Sequence, residues 1–231
     1  MNLFILLQGI VVDSTQAGAS GPTEETMSYF EIALKGGWVM LPILILSFVA
    51  IYIFFERFFV IQKASRINRN FMEKIRDYIY SGKIDSALNL CQSTDHPTSR
   101  MIEKGISRIG RPLNDIHTTI ENVGRLEINK LEKGLPVLAT VAGGAPMIGF
   151  LGTVMGMIKA FYDMSMVKNN IDIGLLSTGI YQALVTTVAG LIVGILAYFA
   201  YNILIARVEK VVSMLEGHTT EFMDLLNEPA K

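Results

Sequence analysis

Two long stretches of this chain have no charge: Gly134 to Ile158 and Ile173 to Ala206 contain no Asp, Glu, Lys, Arg or His. At about 1.5 Å of rise per residue these 25 and 34 residues reach about 38 and 51 Å as helices, against about 30 Å of bilayer hydrocarbon. A third charge-free run, Gly36 to Phe55, ends at Glu56 and Arg57 and is also long enough to span. A soluble fold is excluded by what remains, because one polar block, roughly residues 63 to 133, cannot shield three such helices. Cysteine is nearly absent: Cys91 stands alone, so no disulfide can form within the chain and the residue is expected to be a small buried one. His96, His117 and His218 lack ligand spacing, which argues for capping or solvated histidines and against a metal site; no cofactor is implied. There is no G-x-x-x-x-G-K-[ST] loop, no H-E-x-x-H and no Ser or Cys paired with a base, so an enzyme, including an intramembrane protease, is not expected. A formal charge of −1 with no basic stripe excludes a nucleic-acid partner.

Lysine and arginine are also missing from residues 1 to 34, whereas thirteen fall between Lys63 and Lys133. The positive-inside rule then places the N-terminus outside and the polar block in the cytoplasm. The expected fold is all-α: an integral membrane protein with three transmembrane helices, N-out and C-in, whose long helices extend into a helical cytoplasmic domain. The boundaries are a periplasmic N-terminal segment 1–34, a first span 36–60, a cytoplasmic helical domain 61–133, a second span 134–162, a short periplasmic loop 163–172, a third span 173–206 and a cytoplasmic C-terminal helix 207–231. The opening MNLFILLQGIVV is too short to span and has no basic n-region, which suggests an interfacial helix; a processed signal ending near Ala17 to Ser20 is the alternative. Trp38 and Tyr52 suit either interfacial anchoring or packing.

Within the polar block a helix from Ala64 to Tyr80 is expected to continue the first span, a second to carry DSALNLC, and a third to start at Pro97, where a proline suits the first turn. The fourth, from about Asn114, runs into the second span with a bend at Gly134 and Pro136. After Ala206 the helix continues with Val208, Val211, Val212, Leu215, Phe222, Leu225 and Leu226 at near-heptad spacing, a stripe that needs a partner. The chain's own cytoplasmic helices and a bundle between subunits are both open as that partner.

Inside the spans the small residues form stripes. Ala142, Ala145, Gly149, Gly152 and Gly156 alternate by three and four in the second, and Ala183, Thr187, Gly190, Gly194 and Ala197 do the same in the third. Such stripes let helices approach closely, and tight packing alone accounts for them. The polar residues of these spans are Thr140, Thr153, Ser177, Thr178, Gln182, Thr186 and Thr187. A threonine satisfies itself on the carbonyl one turn back, whereas Gln182 cannot satisfy its amide on a helix backbone. Thr153 and Thr187, if they meet, would form a ring of hydroxyls in any cyclic oligomer, and Gln182 and Thr186 share a face four residues apart. A proton carrier needs an ionisable group at membrane depth, and neither long span has one. The carboxylate must then come from a second protein, or the chain does not conduct.

The segment APMIGFLGTVMGMIKAF, followed by GIYQALVTTVAGLIVGILAYFAYN, resembles the signature region of the MotA/TolQ/ExbB proton-channel family, and the three-span layout with SGKIDSALNLC favours the TolQ and ExbB branch. The resemblance covers roughly residues 36 to 210. It implies an inner-membrane, multi-pass subunit in a homo-oligomer, a pentamer, around an ExbD- or TolR-like single-span subunit whose membrane aspartate carries the proton, with work delivered to a TonB- or TolA-like protein. Thr153 of GFLGTVMG and Thr187 of LVTTVAG match the family threonines that face that aspartate, with Thr186 and Gln182 beside them on the proton pathway. Gln182 departs from the family pattern, which has glutamate in a GIAEAL-like sequence where this chain has GIYQAL. The alternative from another class is a non-conducting scaffold that packs a partner helix on the same small stripes. The absence of further intramembrane carboxylates leans toward proton over sodium.

Overall fold

The structure is a computed structural model that describes residues 36–67, 70–166 and 173–227. Among the described residues seven helices run in order: α1 Met40–Ala64, α2 Phe71–Tyr80, α3 Ile84–Ser93, α4 Pro97–Ile106, α5 Leu113–Glu132, α6 Leu135–Met166 and α7 Ile173–Asn227. No strand occurs among those residues. The N-terminal interfacial helix and the outer loop expected from the sequence lie largely outside them.

Three of the described helices are long and apolar enough to cross a membrane: α1, α6 as the continuation of α5, and α7. Only 17% of the apolar window of α1 is buried, which is the wrong arrangement for a soluble core helix and the right one for a span. Phe48, Tyr52, Phe55 and Phe59 are among its exposed side chains, as are Phe150, Ile158 and Phe161 on α6 and Leu191, Ile195 and Phe199 on α7. Trp38, before α1, is exposed and free to anchor at an interface.

Two of the helix boundaries have a local cause. The second span begins where Gly134 takes a φ of 88°, a backbone conformation costly for any residue with a Cβ, so α5 stops at Glu132 and α6 starts afresh at Leu135. Pro97 occupies the first turn of α4, where its missing N–H is no loss. The expected continuation of the first span to Tyr80 is corrected: α1 ends at Ala64, and α2 is a separate helix. The reason is packing. Phe71, Met72 and Ile75 of α2 are buried in the core that α2–α5 form with α7, and a straight extension of α1 would carry them away from it.

The third span and the C-terminal helix are one element of 55 residues, about 80 Å long at 1.5 Å per residue. Its stripe finds a partner within the chain: Val208, Val211, Leu215, Phe222 and Leu225 are buried in the same cluster as Ile102, Ile106, Ile116 and Ile120 of α4 and α5. The Phe222 ring lies so close to Gly105 that a Cβ there would come within 2.7 Å of it. Of the two partners left open by the sequence, these residues take the chain's own helices. Cys91 is buried, and burial, with the nearby Glu103 charge, pushes its thiol up to about 12.

A charged cluster joins the first span to this domain. Glu127, 4% exposed, accepts from Arg100 Nη2 at 2.6 Å and Lys130 Nζ at 2.6 Å, and Arg100 also reaches Asp95, which Lys63 of α1 contacts at 2.7 Å. Burial pushes the Glu127 carboxyl up, but the bonds to Arg100 and Lys130 outweigh it and hold the group below its ordinary value. Arg57, at the end of the apolar part of α1, is buried; it donates to the Lys130 carbonyl at 3.1 Å and pairs with Glu56.

Candidate functional site

The two small-residue stripes meet along a single antiparallel seam between α6 and α7. A methyl on Gly149 would stand 2.8 Å from the Thr186 carbonyl oxygen and 3.2 Å from the Gly190 Cα; one on Gly190 would stand 2.6 Å from the Ala145 carbonyl. Further along, Gly156 faces Ala183 and Gly179, while Gly194 sits against Pro146 and the Ala142 carbonyl. Backbone thus lies on backbone at Gly149 and Gly190, closer than any residue with a Cβ allows. Gly152 belongs to the same seam, where the Thr186 side chain fills the space a Cβ would need. Ala197, the last residue of the expected α7 stripe, instead lines a groove against α1.

That close approach brings the threonines together. Thr153 Oγ1 and Thr187 Oγ1 lie 2.8 Å apart across the two helices, and both residues are half-buried. Thr187 Oγ1 is 3.1 Å from the Gly149 carbonyl, and Thr153 Oγ1 is 2.8 Å from the Phe150 carbonyl on its own helix. Each hydroxyl has one proton, so two arrangements satisfy this geometry. Either Thr187 donates to Gly149 and accepts from Thr153, or Thr153 donates to Phe150 and accepts from Thr187. The pair can therefore exchange its donor direction by two hydroxyl rotations, without moving a heavy atom.

Thr186 and Gln182 are placed differently. Thr186 is 1% exposed, and its hydroxyl donates to the Ala183 carbonyl at 2.7 Å while its side chain fills the space over Gly152. Gln182 is half-buried, and its carboxamide nitrogen lies against Gly37, just before α1. The structure brings Thr153 and Thr187 together, with Thr186 behind them in the seam and Gln182 on the same face one turn away, against the segment that precedes α1.

Sequence reading placed Gly149 only on the packing stripe. Its carbonyl is also a focus for hydroxyls: Thr187 Oγ1 lies at 3.1 Å, and Thr153 and Thr186 at 3.4 Å each. The signal was its spacing, four residues before Thr153, together with its position facing the LVTT segment. No Asp, Glu, Lys, Arg or His lies in the α6 and α7 stretches around this pair, so its chemistry is that of neutral hydroxyls and backbone carbonyls.

Comparison with known proteins points the same way. The model of the MotA/TolQ/ExbB proton channel family matches residues 93–217, more than half of the chain. The chain is 28% identical over 200 residues to the Tol-Pal system protein TolQ of Pseudomonas aeruginosa, covering 82% of this chain and 86% of that one. It is 36% identical over 104 residues to the biopolymer transport protein ExbB of Aquifex aeolicus, covering 44% of this chain and 70% of that one. An ExbB homolog of Methanothermobacter thermautotrophicus is 25% identical over 187 residues, 80% of this chain and 66% of that relative's length.

Proposed function

The chain belongs to the MotA/TolQ/ExbB proton channel family, and from that premise we propose that it is the larger, ExbB- or TolQ-like subunit of a proton-driven motor in the inner membrane. In this reading the N-terminus is outside, the α2–α5 domain is cytoplasmic, and copies of the chain form a pentamer around an ExbD- or TolR-like single-span subunit. That subunit supplies the membrane aspartate that this chain lacks. Work passes to a TonB- or TolA-like protein that acts on the outer membrane.

The observation that carries the reading is the 2.8 Å hydroxyl pair of Thr153 and Thr187 between two stretches, Gly134–Ile158 and Ile173–Ala206, that contain no Asp, Glu, Lys, Arg or His. An aspartic acid arriving from the partner meets an oxygen lone pair that accepts its proton in a hydrogen bond. An aspartate meets a hydroxyl that rotates away from the Phe150 or Gly149 carbonyl and donates. The pair thus stabilises both protonation states, which a carrier cycling between them requires. Thr186, bonded within the seam, is proposed to hold the two helices at the separation that this pair needs, and Gln182 to support the same face from its contact with Gly37.

The scaffold alternative relied on small stripes presented to a partner helix. The seam between α6 and α7 takes most of those stripes, which favours the motor reading. The test is proton flux into liposomes containing the chain with its co-encoded single-span partner. Flux abolished by changing the partner's membrane aspartate to asparagine, and reduced at least about tenfold by Thr187→Val, is expected. Flux equal to that of empty liposomes in the wild-type complex would overturn the proposal.

A further inference from the structure

A second feature lies away from the threonine pair, in the crease where α1 packs on α7. Its membrane part is an apolar groove of about 330 Å³ lined by residues that include Ala50, Phe54, Val193, Ala197, Ala200 and Ile203. Toward the end of the membrane segment, the same two helices enclose a second cavity of about 320 Å³ lined by Ile61, Gln62, Ser65, Arg66, Arg207 and Lys210. That lining has three cations, two neutral polar side chains and no carboxylate. No ion pair of Arg66, Arg207 or Lys210 is found among the described residues.

The two cavities are parts of one crease. On α1 and its C-cap, positions 47, 50, 54, 58, 61, 62 and 65 follow one another around one helix face; 193, 196, 200, 203, 207 and 210 do the same on α7 at three or four residues. Between the cavities, the Arg207 guanidinium lies over the Phe58 ring at 4.2 Å from its centroid. This contact holds the cation at the junction without consuming its charge. Glu209, the nearest acid in sequence, lines a different cavity with Glu132 and Tyr201. Glu56 is engaged by Arg57.

We propose that this crease binds one anionic phospholipid, with an acyl chain along the α1–α7 groove and the phosphate among Arg66, Arg207 and Lys210. Charge complementarity selects the headgroup: three cations free of protein carboxylates match a phosphodiester, with Gln62 and Ser65 as neutral donors. Length selects a lipid over a soluble phosphate. The groove between Ser47 and Phe55 runs about 12 Å at 1.5 Å per residue, against about 15 Å for one leaflet of hydrocarbon. The inference uses only the spanning of α1 and α7, so it stands or falls independently of the proton-pathway reading.

The experiment is lipid retention by the purified full-length protein, followed by native mass spectrometry, with phosphatidylglycerol and phosphatidylcholine of identical acyl chains supplied in equal amounts. Phosphatidylglycerol retained in preference, at one per chain, is the expected result. Arg207→Gln with Lys210→Gln is expected to weaken that preference about tenfold or more, since each cation near an anionic surface is worth about a factor of five. Arg66→Gln with Lys210→Gln changes only exposed side chains and serves if the loss of the Phe58 contact impairs folding. Lys104→Gln with Arg111→Gln, which removes the same charge elsewhere, is expected to leave the preference unchanged. Ala200→Trp, which fills the groove, is expected to reduce retention of both lipids.

Equal retention of the two lipids by the wild type would overturn the proposal, as would a preference that survives both double substitutions. Displacement by glycerophosphoglycerol at the same concentration as by whole lipid would overturn it by showing that the groove contributes nothing. Absence of lipid from the assembled oligomer, with Ala200→Trp disrupting subunit association, would assign the groove to a second copy of the chain and overturn it likewise.

Discussion

The carboxamide nitrogen of Gln182 rests on Gly37, in the space that any Cβ on Gly37 would occupy. Gly37 has a φ of 70°, so both its backbone conformation and its missing side chain are used. Gln182 therefore ties α7 to the start of α1, a role that needs no proton to come or go. Thr187, by contrast, bonds directly across the seam to Thr153. Gln182→Ala is expected to lower proton flux less than Thr187→Val does, measured in liposomes with the complete complex. The reverse order would move the site toward Gln182. Gly37→Ala is expected to affect flux at least as much as Gln182→Ala, since it strains the backbone and expels the same amide.

Gly143 and Gly149, both within α6, should respond oppositely to the same substitution on geometry alone. A methyl on Gly143 would meet nothing within 4 Å, whereas one on Gly149 would face the Thr186 carbonyl at 2.8 Å. Gly149→Ala should therefore push the helices apart and cost about 1–3 kcal/mol, as overpacking does. Gly143→Ala should be neutral or slightly stabilising, by up to about 1 kcal/mol from helix propensity. Thermal unfolding in detergent compares them; equal effects would mean that the seam is not tightly packed.

His96 clamps two elements in its neutral form. Its Nδ1 accepts from the Thr98 N–H at 3.2 Å, capping α4, and its Nε2–H donates to the Ala64 carbonyl at 3.0 Å, closing α1. Burial holds the imidazole below its ordinary value despite the Ala64 bond; Arg100 and His218 push the same way and Asp95 opposes them. Because the folded pKa is the lower one, protonation favours unfolding. Stability should be full above the unfolded value of about 6.5 and fall as pH drops from there toward the folded pKa. Melting temperatures between pH 7.5 and 5 should show the decline, and His96→Asn, which retains a capping side chain, should remove that part of it.

Glu127 has the opposite sign. Its carboxyl is held low by Arg100 and Lys130 against the push of burial, so its contribution is present above the unfolded value of about 4.3 and lost as pH falls through the folded one. Glu127→Gln should cost about 1.5–3 kcal/mol, the range for hydrogen bonds to charged groups, and should flatten the acid limb of the unfolding curve. Arg100→Ala should also destabilise, because it leaves a buried carboxylate with Lys130 as its remaining side-chain partner. A double-mutant cycle in denaturant gives the coupling; a value near zero would show the pair to be ornamental.

Much of this could be read in advance because membrane helices write their constraints locally. Missing charge over twenty or more residues marks a span, and Gly134, Pro97 and the 3–4 spacing of Ala142 through Gly156 mark helix ends and a packing face. Phe71, Met72 and Ile75 could not be assigned in the same way. Nothing between Ala64 and Phe71 forbids a helix strongly enough to reveal the break; only the demand of the core formed by α2–α5 and α7 for those three side chains does. Thr186 and Gln182 were legible as polar residues on one face, but not as residues engaged by Gly152 and Gly37, which lie far away in the chain.

By itself the sequence determined that three helices cross a bilayer, that the second and third present small faces with threonines on them, and that Gly134–Ile158 and Ile173–Ala206 contain no carboxylate. These follow from composition and period, which depend only on near neighbours. Tertiary structure alone decided that the small faces are used on each other, that Thr153 and Thr187 meet at 2.8 Å while Thr186 turns into the seam, and that the C-terminal stripe folds onto α4 and α5. Those outcomes depend on which surfaces meet, and an antiparallel register between α6 and α7 is a property of the pair that neither helix specifies alone.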